Sequence, residues 1–259
     1  MLQPEYALVT GATKGLGKAF AQALAARELN LVLVARSKDN LEALARQLRT
    51  SHAIQAEPIE CDLTAPMAVQ NLVQQLRQRE LRISLLVNNA GFGARGEFRN
   101  LPLEHQLEMI RLNNQAVVEL TFDLLPPMIK ERRGGIINVA SAAGFQPIPY
   151  AAVYAATKSF LTSFSLGLAE EVRPYRVTVV TVCPGRIRPD PRTEGLLNGS
   201  RNFHGIYETP QGVVRDTLKI FDRGGGLGVP GLVNKMSVFA ERLIPRRVVP
   251  KLVAKLSRL

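Results

Sequence analysis

Tryptophan is absent from this 259-residue chain, cysteine occurs twice, and aromatic residues make up only 6%. Cys61 and Cys183 lie far apart, each at the end of an apolar run, so no disulfide scaffold is expected and the setting reads as reduced and cytoplasmic. No apolar run reaches the ~18–20 residues that cross a bilayer. A strand pattern begins by residue 6, so no leader peptide is expected. Acidic residues are scarce, 22 against 33 Lys and Arg, for a formal net charge of +11. The excess is concentrated at 230–259, where Lys235, Arg242, Arg246, Arg247, Lys251, Lys255 and Arg258 face one acid, Glu241. Nucleic-acid surfaces interleave cations with aromatics; this stretch has only Phe239, so nucleic acid is not an expected partner. What is present, 46% hydrophobic and 21% charged residues, excludes disorder as the main state. One domain of this length buries roughly 70–75% of its chain surface and needs no covalent staples.

Short apolar runs alternate with helix-length segments. Strands are predicted at 6–10, 30–35, 54–60, 84–88, 135–140 and 177–183, and runs such as Leu31-Val32-Leu33-Val34 show no in/out alternation. Such strands are buried on both faces, as in a parallel sheet covered by helices. Helices are predicted at 15–27, 38–51, 66–80, 104–132, 151–174 and 210–223. Within 38–51, Leu41, Leu44, Ala45 and Leu48 share one face, with Lys38, Glu42, Arg46 and Arg49 outward. Regular βα alternation requires right-handed crossovers and builds a doubly wound, three-layer α/β/α domain. The pattern loosens at 186–209, rich in Arg, Gly, Asn and Pro, which reads as a lid beyond a strand end or as a plain surface loop. Gly224-Gly225-Gly226 precedes a short strand at 227–229, closing a domain over 1–231 ahead of a tail at 232–259.

Thr10-Gly11-Ala12-Thr13-Lys14-Gly15-Leu16-Gly17 follows the first strand and opens a helix. Glycines there allow a tight turn and let a pyrophosphate approach the helix N-terminus, where free N–H groups favour anions. The spacing is GxxxGxG rather than the commoner GxGxxG. At the end of the second strand, where an acid would hold the ribose hydroxyls of NAD, stand Ala35 and Arg36. An arginine at that place receives a 2′-phosphate. With Lys14 in the turn as a second cation, the expected cofactor is NADP(H).

Tyr154 and Lys158 are four residues apart on a predicted helix and so share a face. A free phenol titrates near ~10, and a neighbouring cation lowers that value, giving an acid–base group suited to a carbonyl/alcohol pair. Ser141, just past the fifth strand, is placed to hydrogen-bond the same substrate oxygen.

Along the chain these motifs resemble the short-chain dehydrogenase/reductase family. The resemblance rests on TGATKGLG at 10–17, Asp62-Leu63 after the third strand, Asn88-Asn89-Ala90-Gly91 after the fourth, Asn113, Ser141, Tyr154 with Lys158, and Cys183-Pro184-Gly185 after the sixth. It implies a Rossmann-type fold, with Tyr154 as general acid protonating a carbonyl oxygen. Lys158 would lower the phenol's pKa and bind the nicotinamide ribose, Ser141 would stabilise the developing oxyanion, and Asn113, rather than its neighbour Asn114, would hold a water linking Lys158 to solvent. Gly11, Thr13, Lys14, Gly15, Leu16 and Gly17 would cradle the cofactor, with Arg36 at its 2′-phosphate and Asp62 and Leu63 flanking adenine. Asn88, Ala90 and Gly91 would line its ribose side, and Pro184, Gly185 and the backbone of Ile187 its nicotinamide. No metal site is expected. The helices at 104–132 and 151–174 would form the interface of a homodimer or homotetramer.

Two features depart from the family pattern. The threonine often found after Pro-Gly is replaced by Arg186-Ile187-Arg188, and an Asp-Gly-Gly ending is replaced by Gly228-Val229-Pro230-Gly231 and the basic tail. Phe92, Phe98, Phe145, Pro147, Ile148, Pro149 and Tyr150 lie in loops expected near the nicotinamide, which fits a small-molecule hydrophobic carbonyl substrate, such as a ketone on an acyl chain or ring system, or, equally, packing under loops. Arg186, Arg188 and Arg192 would suit an acidic substrate group or simply face water. The tail alternates apolar residues with cations and is split by Pro245 and Pro250; it fits peripheral contact with a membrane or packing on protein. The main alternative to an enzyme is a catalytically silent NADP(H)-binding sensor acting through that tail.

Overall fold

The computed structural model describes residues 4–188, 207–241, 245 and 247–257. Its strands are β1 (Glu5–Thr10), β2 (Asn30–Ala35), β3 (Ala56–Glu60), β4 (Arg82–Asn88), β5 (Gly135–Val139), β6 (Thr178–Val182) and β7 (Gly226–Gly228). Its helices are α1 (Gly15–Ala25), α2 (Lys38–Ser51), α3 (Ala68–Gln78), α4 (Leu103–Ile110), α5 (Ala116–Glu131), α6 (Ala152–Val172), α7 (Pro210–Asp222), α8 (Leu232–Glu241) and α9 (Val249–Ser257). The strands form one sheet in the order β3-β2-β1-β4-β5-β6-β7, with every pairing parallel. The chain works outward from β1 in one direction and then restarts at β4 in the other. The reversal opens a crevice beyond the carboxyl ends of β1 and β4, where ligands of open α/β sheets bind.

Continuous apolar strands explain the three layers. Val9, Leu33, Val87, Ile137 and Val180 point to one face and pack with α1, α2 and α7. Their neighbours Leu8, Val32, Leu86, Ile136 and Val179 point to the other and pack with residues of α3, α5 and α6. Side chains alternate faces along a strand, so both sets must be apolar when helices cover both sides. On α2 the buried residues are Leu41, Leu44, Ala45 and Leu48, the stripe its periodicity predicts.

The strands at 54–60 and 177–183 are shorter than expected at their ends, and β4 starts two residues earlier, at Arg82. A larger difference lies in the segment 104–132, which is not one helix. Between α4 and α5 the turn Arg111–Gln115 is π-helical. Adjacent residues of an α-helix point about 100° apart, as the 3.6-residue period requires, yet Asn113 and Asn114 are both buried. The extra residue of the π-turn lets both amides reach inward, and such turns gather at functional sites. Of the segment 186–209, expected as a lid or a plain surface loop, residues 189–206, Arg192 among them, lie outside the described residues; its ends meet where Ile187 bridges Glu208.

Candidate active site

The crevice is closed at its floor by a stitch between the ends of β1 and β4. The Thr10 hydroxyl accepts from the amides of Asn89 (3.0 Å) and Ala90 (2.9 Å), and the Asn89 side chain donates to the Thr10 carbonyl at 2.8 Å and the Gly11 carbonyl at 3.3 Å. In the sequence Asn89 is one residue of a motif without an assigned role; in the structure it holds the glycine turn. That turn has no room for side chains underneath. A Cβ on Gly17 would lie 2.1 Å from the Gly11 carbonyl oxygen, whereas one on Gly15 would meet nothing within 4 Å. Gly11 and Gly15 have φ of +64° and +48°, in the left-handed region that glycine adopts without strain. The result is a bare backbone cradle at the start of α1, open on its outer side, which fits a pyrophosphate on the helix N-terminus.

Thr13 is half-buried on this cradle, Leu16 is buried, and Lys14 and Arg36 are exposed at its edge. No acid stands at the end of β2. The carboxylate on which the Arg36 charge acts is Asp62. Burial opposes its ionisation, but hydrogen bonds from the Thr64 hydroxyl and amide, with the Arg36 charge, outweigh that and hold it below the usual carboxylate range. Leu63 beside it is buried.

The side chain of Asn88 lies in the core. It is 2% exposed and donates to Asn138 at 2.8 Å; Asn138 in turn donates to Ser165 at 2.8 Å. These bonds tie β4, β5 and α6 together inside the core, so only the backbone of Asn88 reaches the crevice, while Ala90 and Gly91 face it. The reason is parity: Asn88 follows the buried Val87 at the last sheet position, where it still points into a helix-covered face.

At the other side of the crevice, Ser141 leaves the end of β5 and caps a short turn, accepting the Ala143 amide at 3.1 Å. Its hydroxyl also hydrogen-bonds the phenol of Tyr154 in the first turn of α6. Burial pushes that phenol up from its ordinary value, and the Ser141 bond works against the push. Lys158, one turn later, is 6% exposed, with Nζ 6.0 Å from the centre of the Tyr154 ring and donating to the Val139 carbonyl at 2.9 Å. Burial pulls its ammonium down to about 8, opposed by the neighbouring Cys183 thiol, itself pushed up to about 11 by burial. Asn113 uses its whole side chain: the oxygen accepts the Phe92 amide at 3.1 Å, and the nitrogen donates to the Phe92 carbonyl and the Thr157 hydroxyl, both at 3.0 Å. Asn114 donates to the Thr157 carbonyl at 2.9 Å.

Two glycines bring the loop after β4 against this group. A Cβ on Gly93 would lie 2.9 Å from the Tyr154 ring, and one on Gly91 would lie 2.8 Å from the Asn113 oxygen and 3.5 Å from Lys158 Nζ. Of the expected pocket aromatics, Phe145 packs against a core cluster with Val117, Leu161 and Cys183, and Phe92 stacks on His105 at 4.8 Å. Both belong to loop packing. Phe98 remains 66% exposed.

Beyond β6, Pro184 is buried and its carbonyl accepts the Ala142 amide at 2.9 Å. Glu208 reaches back to this turn: its carboxylate accepts the Gly185 amide at 3.3 Å and a hydrogen bond from Asn234. The bridge bonds run from the Arg188 amide to the Glu208 carbonyl and from the Glu208 amide to the Arg186 carbonyl, each 2.9 Å. Ile187's own peptide groups therefore point away from Glu208.

The buried lysine carries a stability cost that can be measured. Lowering its pKa from 10.5 to about 8 corresponds to roughly 3 kcal/mol against folding, offset by about 1 kcal/mol for the bond to Val139. Lys158→Met is thus expected to raise the Tm of the cofactor-free protein by a few degrees at neutral pH. The folded-state value lies below the unfolded one, so the penalty is complete below pH about 8 and vanishes as pH rises toward 10.5. Thermal melts across that window should show the gap between variant and parent closing; a variant less stable than its parent at pH 7 would refute the account.

A sequence model of the short chain dehydrogenase family matches residues 5–195. The very-long-chain 3-oxoacyl-CoA reductase of Bos taurus is 34% identical over 184 residues, 70% of this chain and 58% of that protein. The chain thus spans little more than half the length of that relative. Among solved structures, a short-chain dehydrogenase from Sphingobium yanoikuyae in complex with NADPH is 31% identical, covers 93% of this chain and 94% of its own, and superposes with a TM-score of 0.81. The bulky-bulky ketone specific alcohol dehydrogenase from Comamonas testosteroni is 30% identical, covers 93% of each chain, and gives a TM-score of 0.79. The chain belongs to the short-chain dehydrogenase family.

Proposed function

From that membership, we propose that this protein is an NADP(H)-dependent oxidoreductase interconverting a hydrophobic ketone and its secondary alcohol. The observation that carries the reading is the meeting of Ser141, Tyr154 and Lys158 at the crevice beside an open glycine cradle. The dinucleotide, when bound, supplies or accepts the hydride; the protein's contribution is position and a proton.

Tyr154 gives its phenolic proton to the carbonyl oxygen in reduction and takes it back in oxidation. Ser141 already bonds the phenol, so the substrate oxygen enters a place served by both hydroxyls. Lys158 stabilises the phenolate that remains, and its partial release from the ammonium form suits a group that relays protons near neutrality. Asn113 and Asn114 fix the π-turn and, through Thr157, the height of α6 relative to the loop after β4. Gly11, Thr13, Lys14, Gly15, Leu16 and Gly17 hold the phosphates, Arg36 the 2′-phosphate, Asp62 and Leu63 the adenine end, Ala90 and Gly91 the ribose, and Pro184, Gly185 and Ile187 the nicotinamide.

Support for a bulky apolar substrate comes from similarity to an oxoacyl-CoA reductase and a bulky-ketone dehydrogenase. A homodimer packed through α5 and α6 fits the exposure of Val118, Phe122, Phe160 and Leu166. The test is NADPH oxidation against hydrophobic ketones and 3-oxoacyl thioesters. Turnover on members of that panel is expected; tight NADPH binding with no turnover on any would overturn the reading in favour of a silent binding protein.

A further inference from the structure

Helix α8 carries two faces that are reversed from the usual order. Its inner side is polar at one point and apolar at the next: Asn234 donates to the Pro230 carbonyl at 3.1 Å, and Val238 is only 8% exposed. The outer side presents Leu232, Val233, Met236 and Phe239 to solvent, at 73%, 53%, 64% and 63% exposure. Spacings of three and four put Leu232, Met236 and Phe239 in one row. A helix on a protein surface ordinarily turns a polar face to water, and a contiguous apolar patch marks a surface that meets something else.

The charge of the segment that carries this patch identifies the occupant. Lys235, Arg247 and Lys251 are exposed on α8, on the turn and on α9, and the segment 230–259 carries seven cations against one acid. Cores of protein interfaces are depleted in lysine, whereas large apolar side chains flanked by Lys and Arg suit the headgroup–acyl boundary of an anionic bilayer. Among the described residues no helix is long and apolar enough to cross a membrane. The arrangement therefore suits a helix lying in the surface. We propose that α8 docks this protein on an anionic lipid membrane.

The location of α8 gives the docking a purpose. A Cβ on Gly185 would lie 2.4 Å from Asn234, and the helix also touches the turn Ala142–Phe145 that follows Ser141. The lipid-facing row is thus carried on the wall of the crevice beside Ser141 and Pro184-Gly185. Docking would bring the mouth of the site to the bilayer, where apolar carbonyl compounds concentrate; this last step rests on the substrate class proposed above, whereas the docking does not.

The full chain should co-sediment with vesicles of phosphatidylcholine mixed with phosphatidylglycerol, and not with phosphatidylcholine alone, and salt should release it. Met236→Glu/Phe239→Glu should lower the bound fraction by roughly ten-fold or more. Lys235→Ala, Arg247→Ala and Lys251→Ala should each weaken binding about five-fold. NADPH binding should be unchanged in all of them, which shows that the variants fold. Equal binding to both vesicle types, or binding to neither, overturns the proposal. If neither binds and the double variant reduces particle size by light scattering, the row belongs to an interface with a second copy. Vesicle binding is read without turnover, so failure of the catalytic reading leaves this outcome intact.

Discussion

Replacing Tyr154 by Phe should lower turnover by about 10²- to 10⁴-fold, the range associated with loss of a positioned general acid–base group, while leaving NADPH affinity within a small factor. The substitution removes one oxygen and keeps the ring, so the packing of Gly93 against that ring survives. What disappears is the hydroxyl bonded by Ser141, on the phenol whose ring lies 6.0 Å from Lys158 Nζ. Among the described residues nothing else in the crevice replaces it. The Cys183 thiol is fully buried and pushed up to about 11, and Lys158 donates to a backbone carbonyl. Single-turnover rates and NADPH titration measured on the same preparation decide the matter. Loss of cofactor binding with proportionate residual turnover would mean that Tyr154 positions the dinucleotide rather than handling the proton.

The parts of this site that follow from short-range rules were legible in the sequence. The glycine turn, the four-residue spacing of Tyr154 and Lys158, and the buried stripe of α2 depend on local geometry, and the alternation of strands and helices selects the doubly wound sheet. What escaped depends on contacts between distant segments. Nothing local says that Asn88 points into the core toward Asn138, because a strand-end residue faces crevice or core according to the parity of the whole strand. The π-turn at Arg111–Gln115 leaves the apolar period of 104–132 nearly intact and is dictated by Thr157 and the Phe92 backbone on other elements. Glu208, which holds Gly185 from more than twenty residues away, carries no motif at all. A sequence signal existed only for Asn113 with Asn114: paired amides inside an apolar helix must find buried partners.

Arg36→Asp should shift the ratio of NADPH to NADH affinity by roughly a hundred-fold or more. Each charge-assisted bond to the 2′-phosphate is worth about 1.5–3 kcal/mol, and a factor of ten corresponds to about 1.4 kcal/mol. The substitution removes such bonds and adds a carboxylate that repels the phosphate but accepts the ribose hydroxyls of NAD. The geometry leaves the change local. Arg36 is exposed, lies one residue past the end of β2, and supports no packing. Its one described electrostatic partner is Asp62, whose carboxyl it helps to keep ionised. Losing Arg36 therefore places two carboxylates on one rim of the crevice, which deepens the rejection of the phosphorylated cofactor. Lys14 remains in the turn and retains part of the NADPH affinity, so Lys14→Ala combined with Arg36→Asp should move the ratio further than either alone. Equilibrium titrations of both cofactors against the three variants give the ratios directly. An unchanged ratio in Arg36→Asp would show that the 2′-phosphate is held elsewhere, and a shift only in Lys14→Ala would transfer its recognition to the glycine turn.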